Sequence, residues 1–148
     1  MTPRAPETAA QWQSYFDLRW RLLRAPWNEP PGSERDELDD QRPGVVHAML
    51  CDHRGDAISV GRMQLNSPEE AQIRYMATAE AFQGQGLGRL VVRYLEQAAA
   101  AAGAQTMVLN ARDSAVPFYV RLGYQTAGDG PVLFGGVKHV RMSKRLEG

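Results

Sequence analysis

The chain has 148 residues, 17 Lys+Arg balanced by 17 Asp+Glu, a hydrophobic fraction of 43% and one cysteine. That length allows one domain with a full core and is short for two, so residues 1–148 are expected to form a single domain. Charge balance argues against a nucleic-acid binder, and no run of about eighteen apolar residues exists to span a membrane. The lone Cys51 suits a reducing, cytoplasmic setting better than a disulfide framework. The first six residues, Met-Thr-Pro-Arg-Ala-Pro, hold no apolar signal core.

Taken in chain order, Thr8 to Arg24 carries Trp12, Tyr15, Phe16, Arg19, Trp20 and Leu23 three or four apart, which predicts a helix; Pro26, Pro30 and Pro31 end it. The polar segment Ser33 to Gln41 suggests a short second helix, with Ser33 as cap and Asp36 as its reciprocal acid. Val45 to Cys51 and Ala57 to Leu65 flank His53-Arg54-Gly55-Asp56 and predict a hairpin, and Cys51 reads as a small buried residue. A turn at Asn66 to Glu70 precedes a strand at Gln72 to Thr78. Leu87 to Ala102 predicts a long helix closed by Gly103. Met107 to Ala111 reads as a buried strand, and Ser114 to Leu122 as a helix. Ser114 is its expected cap, Pro117 is tolerated at its third position and Gly123 ends it. Burial of that helix is expected through Val116, Phe118, Val120 and Leu122. Closing strands are expected at Tyr124 to Ala127 and His139 to Lys144, joined by a loop through Gly128, Gly130, Gly135 and Gly136.

The segment with chemical content is Gln83-Gly84-Gln85-Gly86-Leu87-Gly88-Arg89, between a strand and a long helix. Backbone N–H groups at a helix start have no intrahelical partner and carry the positive end of the macrodipole, so a polyphosphate can bind there. A dinucleotide fingerprint fails because Arg89 stands where its last glycine belongs. A P-loop fails because no Lys-Ser or Lys-Thr pair follows a glycine. A glycine-rich helix entry with no ligand is the competing reading.

Gln83, Gly86 and Gly88 form Gln-x-x-Gly-x-Gly, which resembles the acyl-CoA pyrophosphate loop of the GNAT N-acetyltransferases. The resemblance continues in Leu109-Asn110, Ala115, Phe118-Tyr119 and Leu122-Gly123-Tyr124, in the family's order and spacing, and covers roughly Gln72 to Tyr124. The segments Leu18 to Arg24 and Gly136 to Met142 are similar to the ElaA-like branch of the family. The resemblance implies a mixed α/β fold, a mostly antiparallel twisted sheet with a central parallel pair and flanking helices. The family's first strand precedes the first helix, but Pro3 and Pro6 would leave it short or absent.

The resemblance also implies an acetyl-CoA-dependent N-acetyltransferase acting on a primary amine by direct attack in a ternary complex. Gln83, Gly84, Gln85, Gly86, Leu87, Gly88 and Arg89 would hold the pyrophosphate, chiefly by backbone N–H groups. Met76, Ala77 and Thr78 would flank the pantetheine arm, and the Met76 N–H would face the thioester oxygen. Asn110 would contact the arm, or serve only as a strand-end turn residue; Tyr119 would be the general acid, or a packed aromatic. Glu29, Glu34, His47 and His139 are candidate bases, against a purely structural role for either histidine. The acidic run Glu34, Asp36, Glu37, Asp39 and Asp40 would border the acceptor site and attract a cationic amine, or form a solvated helix face interrupted by Arg35 and Arg42. Trp27 would wall the acceptor pocket or pin the helix end.

The expected acceptor is a small-molecule or peptide amine, with no nucleic acid, membrane or metal involved. A homodimer through the exposed sheet edge near the closing strand agrees with the family's habits. The competing function is a catalytically weak acyl-CoA-binding or regulatory module.

Overall fold

The computed structural model describes residues 1–40 and 43–147. Helix α1 (Ala9–Leu23) leads into an antiparallel meander, β1 (Val45–Cys51), β2 (Ala57–Leu65) and β3 (Glu70–Thr78). Helix α2 (Leu87–Ala101), strand β4 (Thr106–Arg112), helix α3 (Val116–Arg121) and strands β5 (Gln125–Leu133) and β6 (Val137–Arg145) follow. The strands form one sheet in the order β1-β2-β3-β4-β6-β5, antiparallel except where β3 meets β4. This is the mixed architecture that the resemblance implies.

Local chemistry accounts for the element boundaries. Thr8 and Gln11 form a capping box at the start of α1: Gln11 N–H donates to Thr8 Oγ1 and Thr8 N–H to Gln11 Oε1, both at 3.1 Å. At the end of α3, Gly123 has a left-handed φ of 98°. Its N–H donates to the Val120 carbonyl and the Tyr124 N–H to the Tyr119 carbonyl, each at 3.0 Å, a Schellman motif. Alternation along the strands then sorts side chains between two cores. Leu50, Ile58, Met63, Ile73 and Leu109 pack with Val91, Val92 and Leu95 of α2, while Met49, Val60 and Ala77 pack with Tyr15, Phe16 and Leu18 of α1. Both faces of the sheet centre are therefore covered.

Several expectations change. The segment expected as a helix from Ser33 forms only a 3₁₀ turn at Glu37–Asp40, and Ser33 Oγ donates to the Pro30 carbonyl instead of capping. Gln41 and Arg42 lie outside the described residues. α3 begins at Val116, behind a 3₁₀ turn at Asp113–Ala115, so Ser114 caps nothing. Within α3 Tyr119 is buried and Val116 and Phe118 pack partly buried against the core, as does the buried Leu122 just beyond its end, whereas Val120 is 52% exposed. The closing strands extend further than expected, because Gly128 and Gly130 sit inside a β5 whose register against β6 shifts twice. β6 lies between β4 and β5, so the sheet edges are β1 and β5. The strand before α1 shrinks to a single bridge between Arg4 and Met49. Cys51 is half-buried at the end of β1.

The acidic run is divided: Glu37 and Asp40 are exposed, whereas Asp36 and Asp39 reach into the protein, and none of its five acids lines either cavity described below. Asp39 Oδ1 accepts from Arg19 Nη1 and Arg62 Nη1, each at 2.9 Å, and both arginines are 0% exposed. Asp36 accepts from Arg62 Nη1 at 2.6 Å and Nη2 at 3.0 Å. Arg19 Nη2 donates to Tyr15 Oη at 2.9 Å. His47 Nε2 lies 3.0 Å from the Asp39 carbonyl, which can only accept, so Nε2 carries a proton; Nδ1 lies 2.8 Å from Tyr15 Oη, whose O–H donates to the Gly61 carbonyl at 3.0 Å. Glu34 is tied to the Gly32 N–H and Arg35. Neither Glu34 nor His47 lines either of the two cavities described below.

Burial is the largest single influence on the Asp39 carboxyl and pushes its pKa up. The Arg19 charge, the Asp36 N–H and the hydrogen bonds from Arg19 and Arg62 together outweigh it and hold Asp39 below the usual carboxylate range. Asp36 is lowered in the same way, by Arg62, the Leu38 N–H and Arg74 against burial. A carboxyl near about 3.9 in the unfolded chain and lower in the fold stabilises fully above about pH 5, and its contribution is lost as pH falls through the folded value. Asp39→Asn leaves two buried guanidinium groups short of a counter-charge and should lower the unfolding free energy by about 3–5 kcal/mol at neutral pH. The variant should also show a shallower acid loss of stability. Urea unfolding across a pH series measures both, and a loss under about 1 kcal/mol would contradict the account.

Candidate active site

β3 and β4 pair only over Glu70–Gln72 against Thr106–Val108, while β4 stays paired with β6 as far as Arg112 and His139. Beyond Gln72, β3 leaves the β4 ladder. On its other side, pairing steps from Arg62–Arg74 to Val60–Ala77, so one residue of β2, Gly61, opposes two of β3, Tyr75 and Met76. Tyr75 sits at this bulge with a left-handed φ of 60°, an uncommon conformation for an aromatic residue. Its phenol donates to Asp36 Oδ2 at 3.3 Å, and the guanidinium groups of Arg19, Arg74 and Arg62 lie 4.2, 4.8 and 4.9 Å from its ring centre. The buried ion cluster thus anchors the residue at which β3 changes course.

Two cavities open along the parted strand. The larger, about 760 Å³, runs from Met76, Ala77 and Thr78 past Gln83, Gly84 and Gly86 to Leu87, Gly88 and Arg89 at the start of α2. Phe118, Tyr119 and Arg121 of α3 form its other wall. Gln85 is exposed in the same turn but does not line the cavity. Gly86 caps α2 with φ 81°, a conformation that glycine adopts without penalty. A Cβ at Gly88 would stand 3.2 Å from Phe118 Cζ, so the missing side chain keeps the helix start close to α3. Gln83 Nε2 donates to the Thr78 carbonyl at 3.0 Å, tying the loop to the end of β3.

This groove fits a polyanion. Helix α2 starts on it, three arginines (Arg89, Arg93 and Arg121) line it, and no carboxylate does. Arg93 and Arg121 are absent from the sequence expectations. Arg93 lies one helical turn beyond Arg89, a spacing that puts both on one face and was available to find it.

The smaller cavity, about 380 Å³, is bounded by Arg24 and Trp27, by Gln72 to Met76 of β3, by Leu109 to Arg112 of β4 and by Phe134 and His139. Asn110 faces this cavity and not the larger groove. Met76, Ala115 and Tyr119 line both, so the two cavities meet at these residues. Tyr119 is 6% exposed; burial pushes its phenol well above the ordinary value, and the Arg112 charge draws it only partly back. Trp27 stacks on Phe134 with centroids 6.1 Å apart, both walling the cavity and pinning the turn after α1. His139 Nδ1 lies 3.2 Å from the Pro131 carbonyl and 3.1 Å from that of Val137. Glu29 lines neither cavity.

Comparison with known proteins identifies the family to which this fold belongs. Residues 35–146 match the acetyltransferase (GNAT) domain family. The uncharacterized N-acetyltransferase YjcF of Bacillus subtilis (strain 168) is 28% identical over 134 residues, 90% of this chain and 92% of the relative. An aminoglycoside 6'-N-acetyltransferase complexed with coenzyme A superposes with a TM-score of 0.83 at 16% identity, covering 100% of this chain and 98% of that one. Escherichia coli ElaA superposes with a TM-score of 0.76 at 19% identity, covering 93% and 92%, a likeness of fold. The chain belongs to the GNAT acetyltransferase family; it is an N-acetyltransferase, with acetyl-CoA as co-substrate.

The loop's role is open to a direct test. Gly86→Glu brings a negative side chain to the helix start and forces a left-handed backbone on a residue that resists it. Isothermal titration should show acetyl-CoA affinity reduced by about 100-fold or more, the scale of losing two or more charge-assisted contacts. Unchanged affinity would remove the loop from the binding site.

Proposed function

We propose that residues 1–148 form one catalytic domain that transfers acetyl from acetyl-CoA to a primary amine by direct attack in a ternary complex. The observation that carries this reading is the meeting of the two cavities at Met76 and Tyr119: a thioester reached through the larger groove and an amine held in the smaller one share a single junction. The co-substrate supplies an activated acyl carbon. Loop residues 83–89 hold its pyrophosphate, and the backbone of Met76, Ala77 and Thr78 flanks its arm. The Met76 N–H donates to the thioester oxygen as negative charge develops there.

In the transfer a C–N bond forms, the C–S bond breaks and the sulfur takes a proton. In this reading Tyr119 gives that proton. Its raised pKa keeps the phenol protonated across the physiological range, and a departing thiolate is basic enough to accept from it. The amine must shed a proton to attack, and His139 is suited to receive it. The carbonyls facing Nδ1 can only accept, so Nδ1 holds the proton of the neutral ring and leaves Nε2 as the base. No covalent acetyl-enzyme is needed: Cys51 lines neither cavity, and burial, with help from Asp52 and Asp56, raises its thiol pKa against the pull of Arg4.

Tyr119→Phe should lower kcat by about 10²–10⁴-fold while the acetyl-CoA dissociation constant stays within about two-fold. A parallel loss of affinity, or an unaltered kcat, would take Tyr119 out of the acid role. His139→Asn should lower kcat/KM for the amine by about 10²-fold, and initial-rate patterns should be those of a sequential mechanism. Ping-pong kinetics or acetylated Cys51 would refute direct attack.

A further inference from the structure

The smaller cavity has a charge character that the transfer chemistry does not require. Its lining includes Arg24, Arg74, Arg112 and His139 but no aspartate or glutamate. Arg74 is answered by Asp36 at 3.2 Å. Among the described residues, no carboxylate lies within salt-bridge distance of Arg24 or Arg112.

Arg24 is nevertheless held in place. Its Nε donates to the Ser33 carbonyl and its Nη1 to the Leu23 carbonyl, both at 3.0 Å, and its guanidinium carbon stands 4.9 Å from the Phe134 ring centre and 5.4 Å from that of Tyr75. These contacts fix the group without neutralising it. Arg112 lines the smaller cavity and not the larger groove, and its charge acts on the Tyr119 phenol. A cavity with two uncompensated guanidinium groups disfavours a polycation and favours an anion.

We infer that the acceptor is an amine carrying a carboxylate or phosphate monoester, held through that anion by Arg24 and Arg112 while its amine faces Tyr119. This rests on the acceptor reading of the smaller cavity. Planar guanidinium groups match both oxyanions by paired hydrogen bonds. Polyamines and aminoglycosides, as polycations, are excluded by like charge. Of the acidic run that the sequence offered as a lure for cations, Asp36 and Asp39 are paired with Arg19, Arg62 and Arg74, Glu34 with Arg35, and none of the five acids lines this cavity.

The test has a binding arm and a turnover arm. Glutarate, glucosamine 6-phosphate, spermidine and kanamycin are titrated calorimetrically into protein saturated with CoA, which blocks the arginines of the larger groove. At least one anionic probe should bind, more weakly by about 10- to 100-fold in Arg24→Gln and Arg112→Gln, whose affinity for acetyl-CoA should stay at the wild-type value. No anion binding, tighter binding of a cation, or anion affinity unmoved in both variants would overturn the proposal. In the turnover arm, CoA release is compared within matched pairs, β-alanine against β-alaninamide and glucosamine 6-phosphate against glucosamine. The charged member should have the higher kcat/KM by about ten-fold or more in at least one pair; preference for the uncharged member in both pairs would overturn the anion assignment and leave the transferase reading intact. Arginine-dependent anion binding without CoA release from any amine would leave the anion site standing and sink the acceptor reading of the smaller cavity.

Discussion

Parallel pairing between β3 and β4 stops at Gln72 and Val108, and the backbone that leaves the ladder there supplies the wall on which both cavities meet. A strand inside a sheet normally spends its N–H and C=O groups on both neighbours. Once β3 parts from β4, residues 76–78 keep β2 on one side and face a groove on the other. That groove ends at the start of α2, where further backbone N–H groups lack partners. One departure from regular pairing thus brings together a strand edge, a helix start and the meeting of two cavities, the three elements that the proposed transfer uses.

The buried ions explain how that departure is held. Tyr75 occupies an unfavourable backbone region at the bulge, and Asp36 grips its phenol together with Arg62 and Arg74. Asp39 joins the same cluster to Arg19 of α1. Among the described residues the Nε groups of Arg19 and Arg62 find no hydrogen-bond partner, but both guanidinium groups lie against the face of Tyr75. Such a cluster is a poor source of stability compared with apolar packing. Its value here is positional: it fixes the segment 36–39, α1, β2 and the bulge of β3 relative to one another.

Much of this was legible in the sequence because it depends on local patterns. The His53–Asp56 hairpin, the glycine entry to α2 and the Leu122-Gly123-Tyr124 ending of α3 are each specified by neighbouring residues, and each forms where the pattern places it. What failed depends on partners distant in the chain. Ser33 to Gln41 has the polar composition of a capped helix, but Asp36 and Asp39 bond to Arg62, more than twenty residues on, and only one 3₁₀ turn survives. Arg19 lay within the apolar stripe of α1, a placement that foreshadowed a buried cation, although nothing nearby identified its counter-ion. Arg62 offered a similar hint inside the apolar run of β2. The arginines of the smaller cavity come from α1's end, β3 and β4, and only the fold brings them together. Gly128 and Gly130 suggested a loop because glycine weakens strands, whereas bulged pairing with β6 absorbs them.

The central claim is that backbone groups at the parted end of β3 and at the start of α2 hold the co-substrate. Amide hydrogen exchange with and without acetyl-CoA tests it most directly, because exchange reports on those N–H groups themselves. The account predicts new protection concentrated in residues 76–78 and 84–89, with little change in β1 or β5. Acetyl-CoA binding that leaves both segments unprotected, or that protects a different surface, would contradict it.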